Sequence, residues 1–480
     1  MALEKKDYDA IVIGSGPNGL AAAITLQQQG LSVLLIEGKP TIGGGLRTEE
    51  LTLPGFLHDV CSAIHPLAVS SPFFNGLPLA SHGLEFIYSP IAAAHPFDDG
   101  TSAYLKISVE ETAASLRSDE KNYTTVMGKI VKDFPKLLPG LLAPLQFQKY
   151  PLTYAQFGMK AILPATRFAN KYFHSKYAKG LFAGMAAHSM LPLSAAASAA
   201  FGIVLMAAGH SKGWPMAKGG SQNIANALAS YFIAIGGKIE VNSMITSLSQ
   251  LPLSHAVLLD TSTPQLLQIA GHQLSSFYKW QLNKFKYGMG VYKIDWALDD
   301  VIPFTDIHCR DAATVHIGNT LEEIAQAELE VSKGINPEKP FVLLVQQSKF
   351  DTSRAPLGKQ TAWAYCHVPG GSIEDRTEAI ESQIERFAPG FRERILARHV
   401  MNSEEMQSYN PNYIGGNING GEQNLSQLFT RPALRFSPYR TSAKGIYLCS
   451  ASTPPGGGVH GMCGYYAAKR ALIDIFKIKI

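Results

Sequence analysis

The sequence predicts an α/β fold built on a parallel sheet, and three observations near the N-terminus support this. A run of β-forming residues, 10–13, is followed by glycines with the spacing G-x-G-x-x-G, at Gly14, Gly16 and Gly19. An apolar helix opens directly after them, and a second apolar run, 33–36, ends on Glu37. Strand, glycine-rich turn, helix and strand in this order predict a βαβ unit.

The glycine spacing indicates that this unit binds a dinucleotide. The first glycine permits the tight turn, the second lets the backbone approach a pyrophosphate, and the third lets the helix lie close to the strand. The positive end of the helix dipole faces the phosphates, and Glu37 is placed to accept hydrogen bonds from a ribose. The residues of this unit predicted to form the cofactor-binding site, besides Glu37, are Gly14, Gly16, Pro17, Asn18 and Gly19.

Bulk composition agrees with a large enzyme. A chain of 480 residues suggests two or three domains, and its net charge of +4 is too small to argue for nucleic acid. The five cysteines form neither a CxxC pair nor a zinc spacing, so we expect no metal site and a reducing compartment. Because the first strand begins within the first dozen residues, we expect no signal or transit peptide and a cytoplasmic location.

The loop after Glu37 reads GKPTIGGGLRT and carries Gly38, Gly44 and Arg47. Its glycines let the chain run close to a ligand, and Arg47 can meet phosphate or flavin oxygens. The βαβ unit, E-x5-GG and the arginine together resemble the flavin-binding signature of the amine oxidase and phytoene desaturase superfamily. A glycine-rich surface loop is the alternative. We interpret His58 and His65, in the next segment, as hydrogen-bonded core residues.

The pattern changes between residues 78 and 208, where the chain is helical and rich in Leu and Ala. Residues 181–209 contain no Asp, Glu, Lys or Arg, so a transmembrane span has to be weighed. We favour buried helices that line a substrate cavity, because Pro192, His188 and many alanines weaken the apolar signal. An apolar patch around 137–145, flanked by lysines, would suit an enzyme that takes a lipid from a bilayer.

The chain then returns to the first domain. Residues 222–234 predict a helix, 239–245 a strand, and 256–259 a buried strand. The resemblance to the same superfamily implies that the backbone of Ile245 holds the adenine and that Thr261 meets the cofactor at a strand end.

The C-terminal block, YLCSASTPPGGGVHGMCGYYAA, reads as a strand, a glycine-rich loop and a helix. Together with SRAPLGKQTAWAYCHVP and YNPNYIGGNINGGEQNLSQLFTRP, it is similar to one family over nearly the whole chain. This is the pyridine nucleotide-disulphide oxidoreductase domain-containing protein 2 family of phytoene dehydrogenase-related FAD-dependent oxidoreductases. The resemblance implies FAD as the cofactor, with the last helix aimed at the flavin. The implied contacts are Gly458, Val459, His460, Gly461 and Met462.

These observations predict a Rossmann-like FAD domain of the glutathione reductase and amine oxidase type, interleaved with a mixed α+β substrate domain. The FAD domain would comprise residues 1–77, 209–276 and 430–480. The substrate domain would comprise 78–208 and 277–429, with an apolar helical region at 130–208.

The expected reaction is hydride transfer from an apolar, lipid- or isoprenoid-like substrate to flavin N5. The alternatives are an amine or alcohol oxidase, and a flavin-bearing scaffold at a membrane with little turnover. Quinone or O2 could accept the electrons, while the oligomeric state stays open.

Lys293, in the strand YGMGVYKIDWAL, is the candidate catalytic residue. It roughly resembles the lysine of amine oxidases that holds a water near the flavin. Period-two alternation puts one set of side chains on one face of the strand and the other set on the opposite face. The first set is Met289, Val291, Lys293 and Asp295, and the second is Tyr292, Ile294 and Trp296. The alternative is that Lys293 pairs with Asp295 at a solvated strand edge.

Overall fold

The computed structural model describes residues 6–479. Its strands, in chain order, are Tyr8–Ile13 (β1), Val33–Ile36 (β2), Thr48–Glu50 (β3), Leu57–Asp59 (β4), Phe86–Ile87 (β5), Ile91–Pro96 (β6), Ser102–Leu105 (β7), Met216–Ala217 (β8), Lys238–Glu240 (β9), Ser254–Leu259 (β10), Gly290–Leu298 (β11), Ala312–Ile317 (β12), Val342–Val345 (β13), Gln360–Val368 (β14), Ile395–Met401 (β15) and Ile446–Leu448 (β16).

The α-helices lie between these strands or after the last of them. In chain order they are Pro17–Gln27 (α1), Pro66–Ser70 (α2), Pro72–Asn75 (α3), Val109–Ser115 (α4), Glu120–Leu141 (α5), Pro151–Ala161 (α6), Ala165–Tyr172 (α7), Lys176–Ala187 (α8), Ser198–Lys212 (α9), Gln222–Ala234 (α10), Thr263–Ala270 (α11), Ser276–Lys284 (α12), Ile307–Arg310 (α13), Leu321–Ser332 (α14), Thr377–Phe387 (α15), Ser403–Tyr409 (α16), Leu425–Leu428 (α17) and Met462–Ala471 (α18). Over residues 109–212, α4 to α9 follow one another without a strand between them.

The first large sheet is parallel, as predicted, with the strand order β16-β10-β1-β2-β9. Ile13 at the end of β1 pairs with Leu259 on one side and Ile36 on the other. Since parallel strands end at the same edge of a sheet, the residues that follow them, Gly14, Asp260 and Glu37, meet there.

Apolar residues cover both faces of this sheet. Helices α1, α10 and α18 pack on one face with Val12, Leu35 and Leu258, while α11 and α12 pack on the other with Ile11 and Leu34. The alternation of strand residues between the two layers follows from the period of two in a β-strand. Burial on both faces explains why these strands read as continuous apolar runs.

The second large sheet has the order β15-β11-β14-β13-β12-β6-β7 and is antiparallel except where β12 pairs with β6. One face packs under the helices α5 and α7 to α9, and the other under α15. The predicted alternation in β11 is confirmed, because Met289 and Val291 face the first layer and Tyr292, Ile294 and Trp296 the second.

The uncharged stretch 181–209 forms parts of two helices, α8 and α9, that pack on each other inside the apolar core. Within residues 6–479 we find no helix with both the length and the apolar character that crossing a bilayer requires. The interpretation as buried helices is therefore confirmed for this stretch.

The strand predicted over 239–245 is shorter than expected, since β9 ends at Glu240. Asn242 adopts a left-handed conformation with φ of 57°, and its N–H donates to the carbonyl oxygen of Lys39 at 3.0 Å. The chain thus turns back over the loop after β2, and Ile245 lies outside the sheet.

Helices α1 and α18 pack so closely that one methyl group added between them should push them apart. A Cβ added to Gly464 would lie 1.8 Å from the carbonyl oxygen of Asn18. We expect Gly464→Ala to lower the free energy of unfolding by at least about 1–3 kcal/mol, the typical cost of overpacking. Thermal unfolding followed by circular dichroism measures this loss.

Gly158→Ala is the matched control, because Gly158 lies inside α6 and an added Cβ would meet nothing within 4 Å. Alanine favours the helix over glycine by about 0.8–1.0 kcal/mol, so this variant should be as stable as the parent or more so. Equal stability of the two variants would contradict the close packing of α1 and α18.

Candidate active site

One cavity, of about 370 Å³, connects the two large sheets. At one end it is lined by the glycine-rich loop before α1, and at the other by Trp363 and Tyr365 of β14. We call these the nucleotide end and the inner end. A cavity of this size lies within the range of small-molecule sites in proteins.

Most of the site residues expected from the sequence line this cavity. Those on its wall are Gly14, Gly16, Pro17, Asn18, Glu37, Gly38, Gly44, Arg47, Ile245, Thr261, Gly458 and Val459. The expected cofactor-binding residues that do not line it are Gly19, His460, Gly461 and Met462.

Those four residues lie behind the wall and position it. A Cβ on Gly19 would be 1.9 Å from the carbonyl oxygen of Gly14, so only glycine lets α1 start this close to β1. His460 is buried, and burial lowers its pKa to about 4, which leaves a neutral ring. Its Nδ1 accepts from the N–H of Met462 at 3.0 Å and thereby caps α18.

Glu37 already has several hydrogen-bond donors in the protein. Its Oε2 accepts from the N–H of Ser15 at 3.0 Å and from the Ser15 hydroxyl at 2.5 Å. Its Oε1 accepts from the N–H of Lys39 at 2.9 Å and from Nη2 of Arg47 at 3.2 Å. The carboxylate therefore organises the loop around it while its open edge faces the cavity.

Asp260 lines the nucleotide end, and the sequence did not predict it as a site residue. It follows β10 directly, one residue before Thr261, and that position at a strand end is the signal that could have found it. Its Oδ2 accepts from the N–H of Gly19 at 2.9 Å, at the start of α1. Burial raises the pKa of Asp260 to about 7, so its charge changes near neutral pH.

Aromatic side chains dominate the inner end. The rings of Trp363 and Tyr365 stack with centroids 5.7 Å apart, and Trp214 contacts His188 edge-on at 5.9 Å. All four line the cavity, together with aliphatic side chains such as Leu343. They come from separate chain regions, so no local motif in the sequence could have joined them.

His58 and His65 are hydrogen-bonded buried residues, as expected. Nε2 of His58 lies 2.8 Å from the hydroxyl of Thr52, and Nε2 of His65 lies 2.9 Å from that of Ser221. Burial lowers the pKa of each histidine to about 4, so both rings are neutral at physiological pH.

Lys293 does not line the cavity, and it does not lie at a solvated edge either. It pairs with Asp295, as one alternative expected, but both side chains are buried, and β11 is a central strand between β14 and β15. Its Nζ lies 5.5 Å from the ring centroid of Trp363, which is itself on the wall. Strand alternation indicates the correct face, but only the packing of other segments on it, such as Nδ1 of His58 at 3.6 Å from Oδ1 of Asp295, shows that this face is buried.

Asp295 depends on this lysine for its charge. Burial by itself would raise the pKa of the carboxyl, but the Lys293 ammonium and other neighbours outweigh it, and the pKa of Asp295 lies below its ordinary value. A second buried pair, Arg354 with Asp59 at 2.9 Å, balances its own charge in the same way.

Comparison with known proteins agrees with the resemblance seen in the motifs. Residues 12–75 match the family of NAD(P)-binding Rossmann-like domains. Pyridine nucleotide-disulfide oxidoreductase domain-containing protein 2 of Rattus norvegicus is 25% identical over 98% of this chain and 94% of its own length. A limonene dehydrogenase polypeptide of Castellaniella defragrans is 29% identical over 32% of this chain and 27% of its own.

The fold also has solved counterparts. A putrescine oxidase variant, from a study of redesigned cofactor binding, superimposes with a TM-score of 0.63 at 15% identity, over 98% of this chain and 99% of that one. The predicted resemblance and the predicted α/β fold are thus confirmed. The chain is an oxidoreductase with an amine oxidase-type fold.

Removing the charge of Lys293 should destabilise the fold rather than alter a reaction step directly. In Lys293→Met the carboxylate of Asp295 stays buried without its ammonium partner, and breaking a buried pair costs about 3–5 kcal/mol. The thermal midpoint should fall clearly. Lys293→Met combined with Asp295→Asn should recover part of the loss, because no unpaired charge remains.

Lys218→Met is the control, since Lys218 pairs with Glu85 at the exposed surface and should leave the midpoint unchanged. An unchanged midpoint in Lys293→Met would contradict the assignment of Lys293 to a buried ion pair.

Proposed function

We propose that this protein binds FAD and oxidises an apolar substrate at a C–H bond. The observation that carries the proposal is that one continuous cavity joins a dinucleotide-binding loop to a chamber of aromatic and aliphatic side chains. The interleaved FAD and substrate domains belong to the same proposal. They are supported by the way the parallel sheet and the second sheet draw their strands from alternating stretches of the chain.

The nucleotide end fits FAD on structural grounds. Gly16 is the N-cap residue of helix α1 and has no side chain that could cap it, so this positive end of the helix suits a pyrophosphate. Among the described residues, Oδ1 of Asn18 and the hydroxyls of Thr261 and Ser262 are buried without a hydrogen-bond partner. All three residues line the cavity, and a polar cofactor would satisfy them.

Bound FAD supplies a two-electron acceptor that takes a hydride from carbon. The chain itself contributes binding, orientation and exclusion of water. Trp363 and Tyr365 offer flat apolar surfaces for the substrate, and burial of the inner end keeps its histidines neutral. Lys293 acts at a distance, because it holds the ring of Trp363 rather than the substrate.

The charges around the cavity favour an apolar substrate over an amine. Its lining carboxylates, Glu37 and Asp260, both belong to the nucleotide end. At the inner end the Lys293 ammonium already lies against the ring of Trp363, so a second cation beside that ring would be repelled. The name of limonene dehydrogenase supports a hydrocarbon, while that of putrescine oxidase keeps an amine as the alternative.

Quinone or O2 remains our proposal for the electron acceptor.

The alternative function is a flavin-bearing scaffold with little turnover. Reduction of the bound flavin by an apolar substrate under anaerobic conditions would distinguish the enzyme from the scaffold, because a scaffold does not require its flavin to be reduced.

Contact with a membrane surface is also proposed, at the end of the expected patch and just beyond it. Leu137 and Leu142 are buried, so most of the apolar patch expected around 137–145 is absent from the surface, but Leu145 is 79% exposed. Further exposed apolar side chains follow it in the chain, with Phe147 fully exposed and Leu152 79% exposed. Lys149 and Lys160 flank them, which suits a surface of anionic lipids.

FAD should be held without a covalent bond, and Glu37 should contribute to its affinity. Acid precipitation should release all the yellow chromophore as FAD. In Glu37→Gln the ribose loses a charged acceptor, and we expect the affinity to fall by roughly ten- to a hundredfold. Titration of the apoprotein with FAD, followed by flavin fluorescence, measures the dissociation constant.

We choose glutamine because it keeps a side-chain oxygen that can accept hydrogen bonds. Alanine would leave Arg47 and the N–H groups of Ser15 and Lys39 without this acceptor. Glu85→Gln removes an exposed carboxylate and should bind FAD like the parent. A colourless protein that refuses added FAD would overturn the proposal, and an unchanged affinity in Glu37→Gln would remove the role of Glu37.

Membrane contact should depend on the exposed apolar side chains. Phe147→Ser with Leu152→Ser should greatly reduce sedimentation with phosphatidylcholine vesicles that contain phosphatidylserine, because the apolar anchor is lost. Phe277→Ser with Trp280→Ser removes another exposed aromatic pair, away from this patch in the chain, and should not change it. Failure of the parent protein to sediment with these vesicles would refute the contact.

A further inference from the structure

Two histidines meet at the inner end of the cavity. His188 follows α8 and lines the wall, while His316 lies in β12 and is fully buried. Their Nε2 atoms are 2.9 Å apart, so one of them must donate a proton to the other. Burial lowers the pKa of His188 to about 3 and that of His316 well below its ordinary value, so both rings are neutral.

The surroundings of Nδ1 of His316 decide which ring is the donor. A Cβ built on Gly184 would lie 2.8 Å from Cβ, 2.9 Å from Nδ1 and 3.0 Å from Cγ of His316, so α8 packs a carbon atom against this side of the side chain. Among the described residues, this nitrogen has no hydrogen-bond partner. An N–H there would be a buried donor without an acceptor, so this nitrogen carries the lone pair instead.

The proton of His316 is therefore on Nε2, and it is donated to Nε2 of His188. A neutral imidazole with an accepting Nε2 carries its own proton on Nδ1. No hydrogen bond to Nδ1 of His188 is found within residues 6–479, and this ring, unlike that of His316, borders the cavity. His188 thus offers the cavity an N–H donor at Nδ1, and it does so as a neutral ring that need not be protonated.

Thr314 provides a second, independent polar group beside it. It lies two residues before His316 in β12, so the two side chains share one face of the strand. Its hydroxyl is buried without a partner among the described residues, and Thr314 lines the same cavity. A hydroxyl in this position needs a ligand atom to complete its hydrogen bonding.

We propose that His188 and Thr314 form a subsite for an oxygen atom of the substrate, so that the apolar substrate carries a carbonyl or a similar uncharged acceptor. A carbonyl oxygen has two lone pairs and can take both donors, whereas an ammonium group has only donors to offer. This inference deepens the proposed function, since it assumes that the inner end receives the substrate.

The test compares three probes of equal chain length on the purified holoprotein: 2-octanone, 1-octene and octylamine. Trp214 and Trp363 line the cavity, so quenching of tryptophan fluorescence reports binding without any turnover. The ketone should bind roughly three- to tenfold more tightly than the alkene, the value of one or more neutral hydrogen bonds. Octylamine, protonated at neutral pH, should bind no more tightly than the alkene.

His188→Leu should abolish the preference for the ketone by weakening ketone binding alone. His188→Gln keeps a donor at this position and should retain part of the preference, which separates a lost hydrogen bond from a disturbed fold. Equal affinities for ketone and alkene in the parent protein, or an unchanged preference in His188→Leu, would overturn the inference. Release of FAD is scored separately, so an FAD-loaded protein without ketone preference refutes this subsite and leaves the proposed function standing.

Discussion

The carboxyl edge of the parallel sheet is the constraint on which the rest of this structure depends. Because β1, β2 and β10 run in the same direction, the residues after them converge on one line. Glu37 and Asp260 are thereby brought to the start of α1, where they accept hydrogen bonds from the N–H groups of Ser15 and Gly19 respectively. The same edge opens into the cavity, so the second sheet must present its inner face there.

Several charged side chains that are buried near this edge and the cavity have a partner of opposite charge inside the protein. Glu37 has Arg47, Asp59 has Arg354, and Lys293 has Asp295. Isolated ions are costly to bury, while paired and hydrogen-bonded ions are tolerated. The inner end of the cavity can therefore be apolar even though Lys293, paired with Asp295, lies against the ring of Trp363 on its wall.

Residues from distant segments of the chain together form the inner end of the cavity. His188 comes from the end of α8, Thr314 and His316 from β12, and Trp363 from β14. The packing of α8 on β12, through Gly184, brings the two histidines into contact. Small residues in a helix thus have a chemical consequence here, because they decide how closely two polar rings approach.

The sequence by itself determined the parallel sheet, the helix α1 and the residues of the glycine-rich loop. These depend on local spacing, where neighbouring residues in the chain are also neighbours in space. The same holds for α10, whose bounds of Gln222 and Ala234 were predicted from its apolar pattern. The two faces of β11 also followed from alternation alone.

Only the tertiary structure decided the surroundings of Lys293, the role of Asp260 and the composition of the inner end. Whether a strand is at an edge depends on which other strands pair with it, and β11 has β14 and β15 on its two sides. Asp260 and Gly19 are 241 positions apart in the chain, yet they share a hydrogen bond. Such contacts are set by packing between distant segments, which no local pattern records.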